Sequence, residues 1–142
     1  MTTGFRYLDH VTDMIVEAYG SSLDEAFENS AKGLVNTMID LKQIIPNQEY
    51  EIVAKGYDVK SLLYDWLEKV MLRLLIDNIA LSDFKVKISE DNGNYFLKGI
   101  AKGEVLDLKK HRYKIEIKAV TYHEMEVKQE DSILMTRFLL DL

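Results

Sequence analysis

The side chains that could carry out chemistry in this chain are its carboxylates and three histidines, because the sequence contains no cysteine. The densest group of them is a short polar cluster that contains Asp9, His10, Thr12 and Asp13. This cluster lies between two predicted strands, and dense polar groups next to buried backbone are often ligand sites. The same side chains could instead satisfy the backbone amides of a turn, and the spacing alone does not separate the two interpretations.

A second acidic group lies at the other end of the sequence. The segment Leu139-Leu140-Asp141-Leu142 places the Asp141 carboxylate beside the backbone carboxylate of Leu142. Like charges this close repel unless a positive charge lies between them. If the last predicted strand pairs with the strand that starts at Asp13, three carboxylates converge and form an oxygen-only site suited to Ca²⁺, Mg²⁺ or Mn²⁺. The alternative is a solvated tail whose charges interact weakly.

Other catalytic patterns are missing from the sequence. It has no glycine-rich phosphate loop, no HExxH motif and no spacing that supports a Ser-His-Asp triad. The lack of cysteine excludes disulfides, thiolate zinc sites and cysteine nucleophiles, and it fits a reducing cytoplasm. We therefore expect a cytoplasmic protein that is not an enzyme.

The charge balance argues against several partners. The formal net charge is −6 at pH 7, whereas nucleic-acid binding depends on Lys and Arg neutralising phosphates, so no direct binding to nucleic acid is expected. The basic run from Lys109 to Lys114 is a local exception that is compatible with a small anion-binding or docking patch, although we interpret it as a solvated turn. Charged residues interrupt the apolar stretches and the first residues lack the apolar core of a secretory signal, so no membrane association is expected.

Hydrophobic spacing predicts one domain over residues 1–142 with two helices. The chain has 47% hydrophobic residues, one proline and no repeat, which is typical of a single compact core. Ser22 and Glu25 form a capping box that opens a helix ending near Met38. Asp58 is the predicted N-cap of a second helix, which ends near Asn78.

Alternating apolar residues predict the strands that cover these helices. The predicted strands are Met14 to Tyr19, Tyr50 to Ala54, Phe84 to Ile88, Tyr95 to Ile100, Tyr113 to Ala119, Met125 to Val127 and Ile133 to Leu140. The turn Asp91-Asn92-Gly93 indicates a hairpin. The expected fold class is α+β, a two-layer sandwich in which two helices pack on one face of a mostly antiparallel sheet.

The order of motifs along the whole chain resembles that of the archease family. The shared motifs are Tyr7-Leu8-Asp9-His10-Val11-Thr12-Asp13, Ala18-Tyr19-Gly20, Leu23-Asp24-Glu25-Ala26-Phe27, Met38-Ile39-Asp40, Asp58 with Leu62-Leu63 and Trp66-Leu67, Gly103-Glu104, His111, Lys118 to His123, and Leu140-Asp141-Leu142. In one departure, His10-Val11-Thr12-Asp13 replaces the family pattern His-Thr-Ala-Asp. The hydroxyl is displaced by one position, to the other face of an extended chain, whereas Asp13 keeps its place.

This resemblance implies a non-catalytic protein cofactor of the RtcB-type RNA ligase that joins exons in tRNA splicing. Family members promote guanylylation of the ligase by GTP and support multiple turnover. The resemblance also implies a metal site formed by Asp13, Asp141 and Leu142, with Ca²⁺ as the expected divalent cation and Mg²⁺ or Mn²⁺ as alternatives. We expect this acidic end of the domain to reach the metal- and GTP-binding centre of the ligase.

Two other functions are compatible with the residues. A general chaperone or binding module needs no catalytic set, and archease-like chains have been regarded in that way. A metal-dependent hydrolase would use Asp13, Asp141 and either His10 or His123, with a bound cation activating water. A site closed by the end of the chain leaves little room for the substrate of such a hydrolase.

Overall fold

The computed structural model describes residues 3–9 and 13–142, with the backbone alone described at Asp9. The elements are β1 (Gly4–Asp9), β2 (Asp13–Gly20), α1 (Leu23–Met38), β3 (Gln48–Gly56), α2 (Val59–Leu75), β4 (Ile79–Asp91), β5 (Asn94–Val105), β6 (Ala119–Glu130) and β7 (Ile133–Asp141). A short 3₁₀ turn, Leu41–Gln43, lies between α1 and β3. Within the described ranges, neither helix has the length and apolar character needed to cross a membrane.

The strands form two antiparallel sheets. A four-stranded sheet has the order β1-β2-β7-β6, and a three-stranded sheet has the order β3-β5-β4. Helix α1 packs against β2 of the first sheet and β4 of the second, while α2 packs against β6 and β3. The predicted α+β class with two helices is confirmed, and the structure adds that the strands are divided between two sheets that share the helices.

Both helices begin where the sequence predicts. The Ser22 hydroxyl accepts a hydrogen bond from the Glu25 amide at 3.1 Å, and the Glu25 carboxylate accepts one from the Ser21 amide at 2.9 Å. Asp58 caps α2 through a reciprocal pair of hydrogen bonds with Ser61. These side chains satisfy backbone N–H groups that the first turn of a helix leaves unpaired, which is why polar residues stop the preceding strands and start the helices.

The predicted end of the second helix was wrong by three residues. Helix α2 ends at Leu75, and Asn78 has a φ of 57°, in the left-handed region that terminates a helix. The apolar spacing continues into the turn, which explains the longer prediction.

The hairpin between β4 and β5 is confirmed. Asp91 and Asn94 are partners across the strand ends, and the loop residues Asn92 and Gly93 both have positive φ, at 51° and 80°. Two consecutive residues with positive φ give the turn whose twist matches that of antiparallel strands, and Asn-Gly is the sequence best suited to it.

The strand predicted from Tyr113 to Ala119 is not formed. This segment is irregular, and β6 begins only at Ala119. Tyr113 makes an isolated bridge with Ile39, and the Lys114 amide donates to the Met38 carbonyl at 2.7 Å. The chain therefore crosses the end of α1 in an extended conformation. The alternation does not mark a paired strand, because Ile117 is buried but Ile115 is 37% exposed.

Trp66 joins the helices to the three-stranded sheet. Its side chain is fully buried, its indole N–H donates to the Phe27 carbonyl at 3.0 Å, and its ring contacts Phe84 edge-on. A Cβ added at Gly99 of β5 would lie 3.2 Å from the Trp66 ring, so glycine leaves room for the close approach of this ring. Burial of an aromatic side chain of this size is worth about 3–5 kcal/mol to the folded state.

The helices also cover the free edges of the three-stranded sheet, where an exposed strand would present unpaired N–H groups. Three helix carboxylates accept hydrogen bonds from edge-strand amides: Asp24 from Ile88 at 3.1 Å, Glu28 from Val86 at 2.9 Å, and Asp65 from Lys55 at 2.9 Å. The sheet therefore presents its outer face, rather than its edges, to the surroundings.

Candidate metal centre

The structure brings the two predicted aspartates together. Asp13 is the first residue of β2 and Asp141 is the last residue of β7, and the antiparallel register places them directly opposite each other. Side chains opposite each other on one face have Cβ atoms about 4.5–5.5 Å apart. The predicted pairing of the last strand beside the strand that starts at Asp13 is therefore confirmed, although the two residues are 128 positions apart in sequence.

The chain end is held in place around Asp141. On the other side of β7, Asp141 is opposite Ala119 of β6, and its carbonyl accepts a hydrogen bond from the Lys118 amide at 2.7 Å. The Leu142 side chain packs against the hydrophobic core. These contacts fix the last two residues, so the interpretation as a solvated tail is wrong for this part of the chain.

The donor chemistry at this position fits a hard divalent cation. Asp13 and Asp141 have the same parity along their strands as Glu17 and Arg137, so both lie on the outer face of the four-stranded sheet. Carboxylate oxygens are the preferred ligands of Ca²⁺ and Mg²⁺, and two like charges at this separation favour a cation between them. Leu142, whose backbone carboxylate is the third predicted ligand, directly follows Asp141.

Other members of the early polar cluster are not covered by the structure. His10 and Thr12 lie outside the described residues, and so does the side chain of Asp9, whose backbone is opposite Met14. His123 is exposed in the irregular part of β6. Among the described side chains, no group of three or more His, Cys, Asp or Glu is arranged to hold a metal. The predicted site has only two such side chains, because its third ligand is a backbone carboxylate.

A second polar network, which the sequence analysis missed, lies on the same outer face. Glu17 is only 2% exposed and is contacted by Arg6 of β1 and Arg137 of β7, which are its register partners on either side. Arg6 Nε and Arg137 Nε donate to its two oxygens at 2.7 and 2.9 Å, and the Tyr19 hydroxyl donates at 2.5 Å. We call these four residues the Glu17 network.

The charge of Glu17 is stabilised by its partners. Burial alone raises the pKa of this carboxyl, but hydrogen bonds from Tyr19, Arg137 and Arg6 together outweigh the burial and lower the pKa to about 2. The network is therefore charged throughout the physiological range and joins β1, β2 and β7 at the strand centres.

Glu104 and His111, which belong to the shared motifs, form a second hydrogen-bonded cluster. One Glu104 oxygen accepts hydrogen bonds from the Ile45 amide at 2.9 Å, Lys110 Nζ at 2.7 Å and His111 Nε2 at 2.8 Å. The His111 Nδ1 accepts from the Asp107 amide at 2.9 Å, so the proton is assigned to Nε2. Hydrogen bonds from Lys110 and from the Ile45 amide lower the pKa of Glu104 to about 2.

These contacts explain what Glu104 and His111 do in the fold. They tie the segment after α1, the end of β5 and the loop before β6 to one carboxylate, and His111 is fully buried. The loop is followed by Lys118, whose amide donates to the Asp141 carbonyl, and by Ala119, which is opposite Asp141 in the sheet. The motifs in the sequence include Glu104 and His111, but only the fold shows that the two residues are hydrogen-bonded to each other. For Glu17, the signal was a lone acidic residue inside an apolar strand.

The fold defines a small α+β protein in which two aspartates are opposite each other at the end of one sheet. The family model of the Archease protein family (MTH1598/TM1083) matches residues 5–142. The chain therefore belongs to the archease family, as the shared motifs predicted.

Full-length relatives and solved structures agree with this assignment. The chain is 37% identical to Protein archease of Thermococcus gammatolerans, over 97% of this chain and 98% of that protein, and 39% identical to that of Sulfolobus acidocaldarius, over 99% of each. It is similar to the solution structure of Methanobacterium thermoautotrophicum protein 1598, with a TM-score of 0.87, 37% identity and coverage of 98% and 99%. A Thermotoga maritima structure described as an archease, possible chaperone, shares the fold at a TM-score of 0.61, with 19% identity and 96% coverage of each chain.

Proposed function

We propose that this protein acts in the cytoplasm as a non-catalytic cofactor of an RtcB-type RNA ligase in tRNA splicing, where it promotes GTP-dependent guanylylation and multiple turnover of the ligase. Membership of the archease family supports the proposal, since the resemblance associates this role with the family's motifs. The observation that carries it is the register pairing of Asp13 with Asp141.

The proposed site consists of the carboxylates of Asp13, Asp141 and the Leu142 backbone, which would hold a divalent cation, with Ca²⁺ expected first and Mg²⁺ or Mn²⁺ as alternatives. A bound cation would supply positive charge between the carboxylates and a surface that oxygen ligands of a partner could share. The protein's own part is to present these oxygens on a sheet end that the Lys118 amide and the Leu142 side chain hold in position.

A guanylylation assay tests this function directly. The cognate ligase is incubated with GTP labelled at the α-phosphate, with and without this protein, and the ligase-linked label is measured over several turnovers. Wild-type protein should stimulate labelling, whereas Asp13→Asn and Asp141→Asn should lose most of the stimulation because each removes one ligand charge. The matched control Asp91→Asn lies in the β4–β5 hairpin and should stimulate like wild type.

The chain end offers an independent test. A Gly-Ser extension after Leu142 converts its backbone carboxylate into an amide and moves the terminal charge away. The extended protein should bind Ca²⁺ more weakly in calorimetry while keeping the circular dichroism spectrum of the wild type. The proposed site would be refuted if the extended chain bound Ca²⁺ with unchanged affinity and both aspartate variants stimulated the ligase fully.

A general chaperone function is the alternative, and the description of the Thermotoga maritima structure favours it for that protein. It predicts suppression of heat-induced aggregation of unrelated proteins, independent of Asp13 and Asp141, with no stimulation of the ligase. The two assays therefore separate the functions.

A further inference from the structure

The outer face of the three-stranded sheet carries a cluster of lysines. Strand alternation buries residues such as Ile52, Leu97 and Val86 against the helices and exposes their neighbours. Five lysines are exposed on the outer face, namely Lys55 of β3, Lys85 and Lys87 of β4, and Lys98 and Lys102 of β5. We call this surface the lysine face. Glu49, Glu51 and Asp83 lie on the same face towards Lys102, and Asp91 lies at the hairpin. Positive charge is therefore concentrated in the middle of the face, around Lys55, Lys87 and Lys98, in a chain whose net charge is −6.

The lysines at the centre of this face are placed against each other. Lys87 and Lys98 are direct partners in the register of β4 and β5. Like charges directly opposite each other destabilise a sheet. Within the described residues, the ammonium groups of Lys85, Lys87 and Lys98 have no carboxylate partner at salt-bridge distance. A bound anion would relieve this repulsion.

The lysine face contains a depression. It has a volume of about 660 Å³, and its lining includes Val53, Lys55, Lys87, Phe96 and Lys98. Lys69 of α2 also reaches it, and no described carboxylate-bearing residue lines it. The depression therefore combines several positive charges with apolar side chains in one place.

Exposed aromatic rings flank the depression. Phe96 is 44% exposed, and Tyr57, in the turn after β3, is 74% exposed. An adjoining hollow of about 440 Å³ lies between them and is also lined by Lys55 and Asn94. Aromatic rings beside lysines on an open sheet are the arrangement that proteins use to stack unpaired bases and neutralise the phosphates between them.

We infer that the lysine face binds a segment of single-stranded RNA, with Lys55, Lys87 and Lys98 contacting phosphates and with Phe96 and Tyr57 stacking on bases. The expectation of no direct nucleic-acid binding followed from net charge, whereas the fold gathers Lys55, Lys87 and Lys98 around a depression that no described carboxylate lines. An acidic polypeptide would form ion pairs with the lysines but would have no bases to stack on the exposed rings. We therefore favour RNA as the ligand. The inference does not depend on guanylylation of a ligase.

Fluorescence anisotropy with a fluorescein-labelled 12-nucleotide poly(A) RNA tests this binding in the absence of ligase and GTP. The logarithm of the binding constant should fall with the logarithm of salt concentration with a slope of about −2 to −3, as expected for three or four phosphate contacts at about −0.7 each. Lys87→Glu with Lys98→Glu should weaken binding at least tenfold, and Phe96→Ala at least fivefold.

The matched control replaces two exposed lysines away from this face, Lys42→Glu with Lys60→Glu, and changes the net charge equally. This control should bind RNA within about threefold of wild type, and thermal unfolding should show that all variants are folded. Lack of binding at 50 mM salt overturns the inference, and so does an equal loss in the control. Binding of polyglutamate without binding of RNA assigns the face to an acidic polypeptide instead. A 12-base-pair RNA duplex that binds as tightly as the single strand refutes base stacking.

Discussion

The outer faces of the two sheets differ in how charged side chains are paired across neighbouring strands. On the four-stranded sheet, Glu17 is buried and its charge is neutralised by Arg6 and Arg137 on the adjacent strands. On the three-stranded sheet, Lys87 is exposed and faces Lys98, another cation. Strand register can therefore place opposite charges next to each other, or place like charges next to each other so that they remain available to bind a ligand. The first arrangement stabilises the fold, and the second invites a ligand of opposite charge.

Breaking the Glu17 network should give the largest effect on stability. Glu17→Gln keeps the shape of the side chain but leaves two guanidinium groups against a neutral amide. The loss should be about 3 kcal/mol in the free energy of unfolding, since a pKa lowered from 4.5 to about 2 corresponds to this amount. Urea unfolding at pH 7 measures it. The control Glu51→Gln, an exposed residue on the other sheet, should change stability by less than about 0.5 kcal/mol.

The pH dependence of the Glu17 contribution has a definite sign. Because the pKa of Glu17 is lowered in the folded protein, its contribution is complete above pH 4.5 and is lost as the pH falls from about 4.5 towards 2. The stability difference between wild type and Glu17→Gln should therefore shrink between pH 6 and pH 2.5. A difference that stays constant over this range would show that the variant acts through packing alone.

The aspartate pair is an intermediate case, because like charges face each other but a cation is proposed to bind between them. With Ca²⁺ at 100 times its dissociation constant, wild type should gain about 2.7 kcal/mol of stability, and Asp13→Asn should gain much less. Thermal unfolding with and without Ca²⁺, with Asp91→Asn as the control, measures the difference. Equal gains in all three proteins would contradict the proposed ligand role of Asp13.

The sequence was most informative where local chemistry determines structure. Caps at Ser22 and Asp58 and the Asn92-Gly93 turn act within a few residues, so their elements could be predicted. The convergence of Asp13 and Asp141 was conditional on pairing between the first residues of one strand and the end of the last, and the register meets that condition. The partners of Glu17 and of His111 lie on distant segments, so spacing could not reveal them. The extended segment from Tyr113 to Ala119 was misread because apolar alternation also occurs in a segment that makes only an isolated bridge.

The smallest expected effect is also the most direct test of the contrast between the two faces. Lys87→Glu replaces a like-charge pair with an opposite-charge pair across β4 and β5, and such pairs are worth about 0.2–1 kcal/mol. The variant should therefore be more stable than wild type by about 0.5 kcal/mol in urea unfolding.

Adding Lys98→Glu restores a like-charge pair of the other sign and should remove that gain. A gain that survives in the double variant would mean that Lys87 is unfavourable for a reason other than Lys98. If stability rises in Lys87→Glu while RNA binding falls, the lysines are kept at a cost to folding, which is the expected signature of residues retained for a ligand rather than for the sheet.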